Sequence, residues 1–177
     1  MFGKESLKHP ILSEIDKRRL ILLIELSECG FSCLREENFT KAYQNLTKGK
    51  DYGESIIKIE PEDDGSNIPA LQLMAKLYFF LGNVCNKLGK KEECIENREK
   101  AIAAFEKIGN YFNGIDNFEV ALTNYRWEYV ACVLNHSANH QKTAQCHTYI
   151  GDMLSKLGKE SEAKAAYAIA ESIRKKL

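Results

Sequence analysis

Proline is scarce: there are three, all before Ala70, so more than a hundred residues downstream run without the strongest helix breaker. That stretch is rich in Ala, Leu, Lys and Glu, which predicts an all-α protein. Excess charge is also missing. Lys plus Arg and Asp plus Glu both total 25, a formal net charge of zero, and no strongly basic face is available for a nucleic-acid backbone. The apolar run near the start is short: Leu20 to Leu26 contains Glu25 and follows Lys17, Arg18 and Arg19. It is far short of the roughly 18 residues that span a bilayer, and no small-residue cleavage site follows. The expectation is a core helix of a cytoplasmic protein, with no membrane insertion. No Gly-rich phosphate loop, Gly-x-Ser-x-Gly elbow or supported Ser/His/Asp order is present, so neither catalysis nor a cofactor is expected.

What is present is helical periodicity. Apolar residues at three- and four-residue spacing (Ile11, Ile15, Leu22, Leu26, Cys29, Cys33) predict a first helix over about 11–35, opened by Pro10 or Ser13. A second, about 38–59, has Asn38 as N-cap and Phe39, Ala42, Tyr43 and Leu46 on one face; Gly49 and Gly53 predict an early end or a bend. The acidic stretch at about 60–69, "EPEDDGSNIP", reads as a solvated loop. Further helices are expected over about 70–88, 91–109, 116–135, 141–157 and 160–176, with "GNYFNGIDN" breaking the chain after the fourth and Asp116 capping the fifth.

"KLGK" occurs twice, at 87–90 and 156–159, and around it Leu81-Gly82, Leu88-Gly89, Cys94 and Ala101 align with Ile150-Gly151, Leu157-Gly158, Ala163 and Ala170. Two antiparallel helices approach closely only where small residues sit at the crossing, and a glycine after the first helix permits a left-handed turn. The pattern resembles the tetratricopeptide repeat (TPR), a helix hairpin of about 34 residues. "IGDMLSKLGKESEAKAAYAIA" and "LGNVCNKLGKKEECIENREKAI" carry the resemblance, with a weaker copy in "ECGFSCLREENFTKAYQNL", where Leu46 and Gly49 depart from the family's residue types.

The resemblance implies an all-α fold of about seven helices, antiparallel hairpins stacked as a right-handed superhelix in one domain over 1–177. Register is uneven: Gly30 to Gly82 is 52 residues and Gly82 to Gly151 is 69. The middle repeat, about 110–143, is therefore expected to be degenerate, one long helix standing where two should be; the alternative pairs helices five and six and leaves the seventh as a cap.

By the same resemblance the first helix of each hairpin lines a groove for a protein or peptide partner. The groove positions are Ser27 and Phe31, then Lys76, Phe79, Asn83 and Asn86, then Gln145, Thr148 and Asp152, with Phe31 and Phe79 as exposed aromatic anchors. The family's chaperone-carboxylate clamp is not expected. Of Ser27, Phe31, Phe80, Asn83, Gln145 and Tyr149 at its positions, only Asn83 suits it. The resemblance thus implies a non-catalytic interaction scaffold, or alternatively a peptide-sensing receptor, with self-association through the repeat ends possible in either case.

The six cysteines belong to a chain too long and too helical for a small disulfide scaffold. Cys29, Cys33, Cys85 and Cys94 fall at packing positions, where a free thiol acts as a small hydrophobe. One other constellation could bind metal and would make the chain a metal-binding sensor or enzyme instead: His136, His140 and Cys146, within "NHSANHQKTAQCH". The intervening "SAN" lies at a helix end and no Glu follows the first histidine, so ordinary loop and core roles are expected and no metal is.

Overall fold

The computed structural model describes residues 14–57 and 65–177, with side chains from Ile21 onward. These residues form seven α-helices and no strand: α1 Glu14–Arg35, α2 Phe39–Ile56, α3 Ile68–Lys87, α4 Lys91–Gly114, α5 Phe118–Asn135, α6 Gln141–Lys156 and α7 Glu160–Arg174. The expected opening of α1 at Pro10 or Ser13, and residues 60–64 of the expected acidic loop, lie outside the described residues; Ile68 and Pro69, expected in that loop, already belong to α3. Each helix packs chiefly on its chain neighbours, α4 as extensively on α5 as on α3. This is the quasi-one-dimensional arrangement of a repeat array.

Local chemistry sets the helix boundaries. Asn38 and Asn117 cap α2 and α5 by accepting from the backbone N–H of Lys41 (3.1 Å) and Val120 (3.4 Å). The expected cap, Asp116, instead occupies the left-handed turn just before, at φ 58°. Four hairpin turns close identically. Glu37, Gly89, Asp116 and Gly158 all have positive φ, and the N–H of the next residue reaches back to Cys33, Cys85, Phe112 and Leu154 O at 2.8–2.9 Å. This six-to-one bond satisfies carbonyls the helix end leaves open.

These turns share a register with four buried glycines. Each turn residue lies seven positions after Gly30, Gly82, Gly109 or Gly151. A Cβ on those glycines would meet Leu46 Cδ2 at 2.5 Å, Arg98 Cγ at 2.8 Å, Tyr125 Cε1 at 2.6 Å and Tyr167 Cε1 at 2.6 Å, in every case the residue sixteen positions on. The crossing is therefore built four times. Its third copy uses Gly109, which was expected to end the fourth helix and instead lies inside it.

That placement accounts for the uneven register. The 24-residue α4 is the second helix of the hairpin begun by α3 and also the first helix of a hairpin completed by α5. A single helix, α5, stands between α4 and the full α6–α7 hairpin. "GNYFNG" does not break the chain, because Gly109 is held under the Tyr125 ring and the chain turns only at Ile115–Asn117.

Gly49 and Gly53 likewise do not end or break α2. Both are buried: a Cβ at Gly49 would stand 3.1 Å from Leu77 Cδ1, and one at Gly53 would collide with Met74 Sδ, so these glycines admit α3. Burial of α3 is extensive. Leu71, Met74, Ala75, Leu77 and Cys85 are fully enclosed, and this helix, though long and apolar enough on composition to cross a membrane, has most of that surface covered by its neighbours.

Candidate functional site

The face implied for partner binding starts on α1 and α3. Phe31 on α1 and Phe80 on α3 are both half-buried and meet edge to face, centroids 5.1 Å apart. Lys76 lies one turn before Phe80 and is exposed; Asn86 is exposed nearer the C-terminal end of α3. Ile24, two turns before Phe31 on α1, is 39% exposed and extends the apolar strip.

Phe79 does not belong to this strip. Its expected exposure is corrected: it is 6% exposed, in edge contact with Phe80 (5.4 Å) and with Trp127 of α5 (5.4 Å). Trp127 in turn stacks on Phe105 of α4. The physical reason is the shared helix, since α3 and α5 both pack on α4 and Trp127 reaches over to cover Phe79. Phe80, one position on, is the half-buried aromatic, and the packing of α5 that distinguishes the two is not a local signal.

Ser27 is also withdrawn, fully buried with its hydroxyl donating to Leu23 O at 2.7 Å. Asn83 is half-buried, and its Oδ1 accepts from Arg98 Nη2 at 3.2 Å. Arg98 Nη1 donates to Leu134 O at 2.7 Å, so this largely buried guanidinium joins α3 and α4 to the C-terminal end of α5, where the helix dipole favours a cation.

The α6 residues stand apart from the α1–α3 strip and are partly occupied. Gln145 is exposed and donates to Tyr149 Oη at 2.5 Å; Asp152 accepts from Tyr167 Oη at 2.7 Å, which pushes that phenol up to about 12. Thr148 donates to Ala144 O and accepts from Arg174 Nη2 at 2.8 Å.

The histidine tract does not assemble. His136 and His140 stack with centroids 4.2 Å apart and nearly parallel rings, so their lone pairs lie in parallel planes. His140 Nδ1 caps α6 by accepting from Lys142 N at 3.2 Å. His136 Nε2 lies 3.0 Å from Glu99 Oε1, and burial holds its pKa below the ordinary value. Cys146 faces Cys132 on α5 instead, where Glu128 joins it: among the described residues only Glu128, Cys132 and Cys146 bring three potential metal-ligating side chains together. Burial, reinforced by Glu106, pushes the Glu128 carboxyl up to about 8.

No protein-family model and no curated protein sequence matches the chain. Among solved structures, BtubC (BKLC) from P. vanneervenii is similar at a TM-score of 0.43 and 16% identity, over 91% of this chain and 65% of that one. Two MamA structures are similar at a TM-score of 0.35 and 16% identity, one over 88% of this chain and 93% of that chain, the other over 83% and 95%.

Proposed function

We propose that this chain is a TPR-like interaction scaffold that binds an extended peptide or a partner helix on the face shared by α1 and α3, without chemistry of its own. The observation that carries the reading is the Phe31–Phe80 pair. Two half-buried aromatic rings from different hairpins meet at 5.1 Å, with Lys76 beside them and Ile24 continuing the apolar strip. Aromatic side chains offer large contact area at small entropic cost, and a helical array supplies the rigid backing an anchor needs.

Photo-crosslinking in the native host tests this directly. A photoreactive residue at Phe31 or Lys76 should capture a discrete protein, and one at exposed Lys164 on α7 should not. Phe31→Ser and Lys76→Glu should each weaken binding of the captured segment by about tenfold, roughly the loss of one well-placed contact, with helicity unchanged by circular dichroism. Capture through Lys164 alone, or unchanged affinity in both variants, would remove the α1–α3 face from the function.

A further inference from the structure

We propose that Glu128, Cys132 and Cys146 form a buried site for one thiophilic divalent cation of the zinc class, joining α5 to α6. Cys132 Sγ and Cys146 Sγ lie 3.5 Å apart, and the ligand atoms of all three side chains lie within 4.8 Å of one another. Glu128 precedes Cys132 by one helical turn, so the two side chains leave the same face of α5 toward Cys146.

A cation suits this geometry better than a disulfide does. Two thiolates each about 2.3 Å from a tetrahedral zinc ion are about 3.8 Å apart, close to the separation found, while a disulfide requires a closure to about 2.05 Å. A disulfide would also leave the third member unexplained. Glu128 is 3% exposed, and its Oε2 is buried with no hydrogen-bond partner. An unpartnered buried carboxyl oxygen costs free energy unless something meets it. A divalent ion held by two thiolates would meet it, leaving one coordination position for a further ligand.

The array supplies an internal comparison. Glu128, Cys132 and Cys146 hold the same register to Gly109 and Gly151 that Gly49, Gly53 and Leu77 hold to Gly30 and Gly82. At that earlier joint, between α2 and α3, the positions touch through apolar atoms, with a Cβ on Gly49 only 3.1 Å from Leu77 Cδ1. The corresponding positions of the other two hairpins are also small, Ala101 and Ala170 standing where Glu128 does. Packing at this position is thus met three times by Gly or Ala. The joint after the shared helix alone carries a carboxyl and two thiols, ligand types that select zinc-like ions.

Binding would release the two thiol protons to solvent, and the carboxyl proton where Glu128 carries one. The test uses the full chain, reduced, with Co2+ or Zn2+ alone as probe. Expected is one equivalent of Co2+ with thiolate-to-cobalt charge-transfer absorption, displaced by Zn2+ and abolished by Cys132→Ala or Cys146→Ala. Glu128→Gln should keep the band and weaken affinity by about tenfold or more, as losing a well-placed metal-site partner does. If the cysteine variants fail to fold, wild-type alkylation in mild denaturant decides: under conditions where local opening lets the buried Cys132 and Cys146 react without metal, Zn2+ should protect both, mapped by mass spectrometry, and leave exposed Cys29 reactive. No band in reduced wild type, a band that survives both cysteine substitutions, no protection, or a Cys132–Cys146 disulfide whose reduced form takes up no metal would each overturn the proposal.

Discussion

Gly109 of α4 lies under the ring of Tyr125 of α5, so close that a Cβ at residue 109 would stand 2.6 Å from Tyr125 Cε1. The ring cannot easily give way, because Tyr125 is 1% exposed and its hydroxyl donates to Asn110 Oδ1 at 2.7 Å.

Gly109→Ala is therefore expected to destabilise the protein by roughly 1–2 kcal/mol, the cost of overpacking outweighing the helix propensity gained. Gly114→Ala at the end of the same helix, where nothing lies within 4 Å, should instead be neutral or stabilising by up to about 0.5 kcal/mol. Urea denaturation of both variants measures the contrast. Equal effects would mean that the crossing at Gly109 is not tightly packed.

Glu37 occupies the left-handed turn between α1 and α2 at φ 57°, where the equivalent turns of α3–α4 and α6–α7 use Gly89 and Gly158. Relief of the Cβ clash should make Glu37→Gly stabilising by about 0.5–1 kcal/mol, net of the flexibility a glycine adds to the unfolded chain. Gly89→Ala should lose about 1 kcal/mol by the same reasoning. Thermal melts of the pair check both signs.

Acid should weaken the packing of α2 against α3 and α4. Glu54 accepts hydrogen bonds from Tyr78 Oη at 2.9 Å and Lys100 Nζ at 3.0 Å. Burial pushes its carboxyl up, but those bonds and the charges of Lys100 and Lys50 outweigh it and leave the group below the usual range. A depressed folded-state value contributes stability that is fully present above the unfolded value, about pH 4.3, and is lost as pH falls through the folded one. With the side chain one-third exposed, the effect is of order 0.5 kcal/mol. Glu54→Gln should flatten the stability–pH curve below about pH 4.5 and leave its shape near neutrality unchanged.

Phe79 and Phe31 should separate stability from binding. Phe79→Ala opens a cavity between Phe80 and Trp127 and is expected to cost about 3–4 kcal/mol. Phe31→Ala, at a half-buried site, should cost about 1 kcal/mol. Chemical denaturation gives both numbers, and similar losses would show Phe31 to be as deeply packed as Phe79.

The parts of this fold written in local residue patterns could be read directly. Gly82, Gly89, Gly151 and Gly158 mark crossings and turns because "KLGK" repeats around them, and the helix starts at Lys91, Gln141 and Glu160 fall where the sequence places them. The third crossing was concealed for a chemical reason. Its turn residue is Asp116 rather than glycine, and the Gly and Asn residues of "GNYFNG" imitate a helix stop while lying within α4. A signal was available: Gly109, Ala121 and Tyr125 keep the spacing of Gly151, Ala163 and Tyr167. The candidate face was legible only by halves. Phe31 and Lys76 are positions the TPR resemblance implied, and they stand half-buried and exposed; the burial of Phe79 depends on Trp127, 48 residues away, and so on how α5 packs against α4.

A helix that serves two hairpins also changes how the array can come apart. Repeat proteins ordinarily fray from their ends unit by unit, each unit contributing its own stability and one interface. Here no cut between units exists from α3 to α5, since melting α4 would strip the partner from both flanking helices at once. Amide exchange in these three helices should therefore follow one common opening, while α7 exchanges through its own, shallower one. The middle of the chain acts as a single cooperative block, and genetic loss or duplication of one whole hairpin is tolerable only outside it.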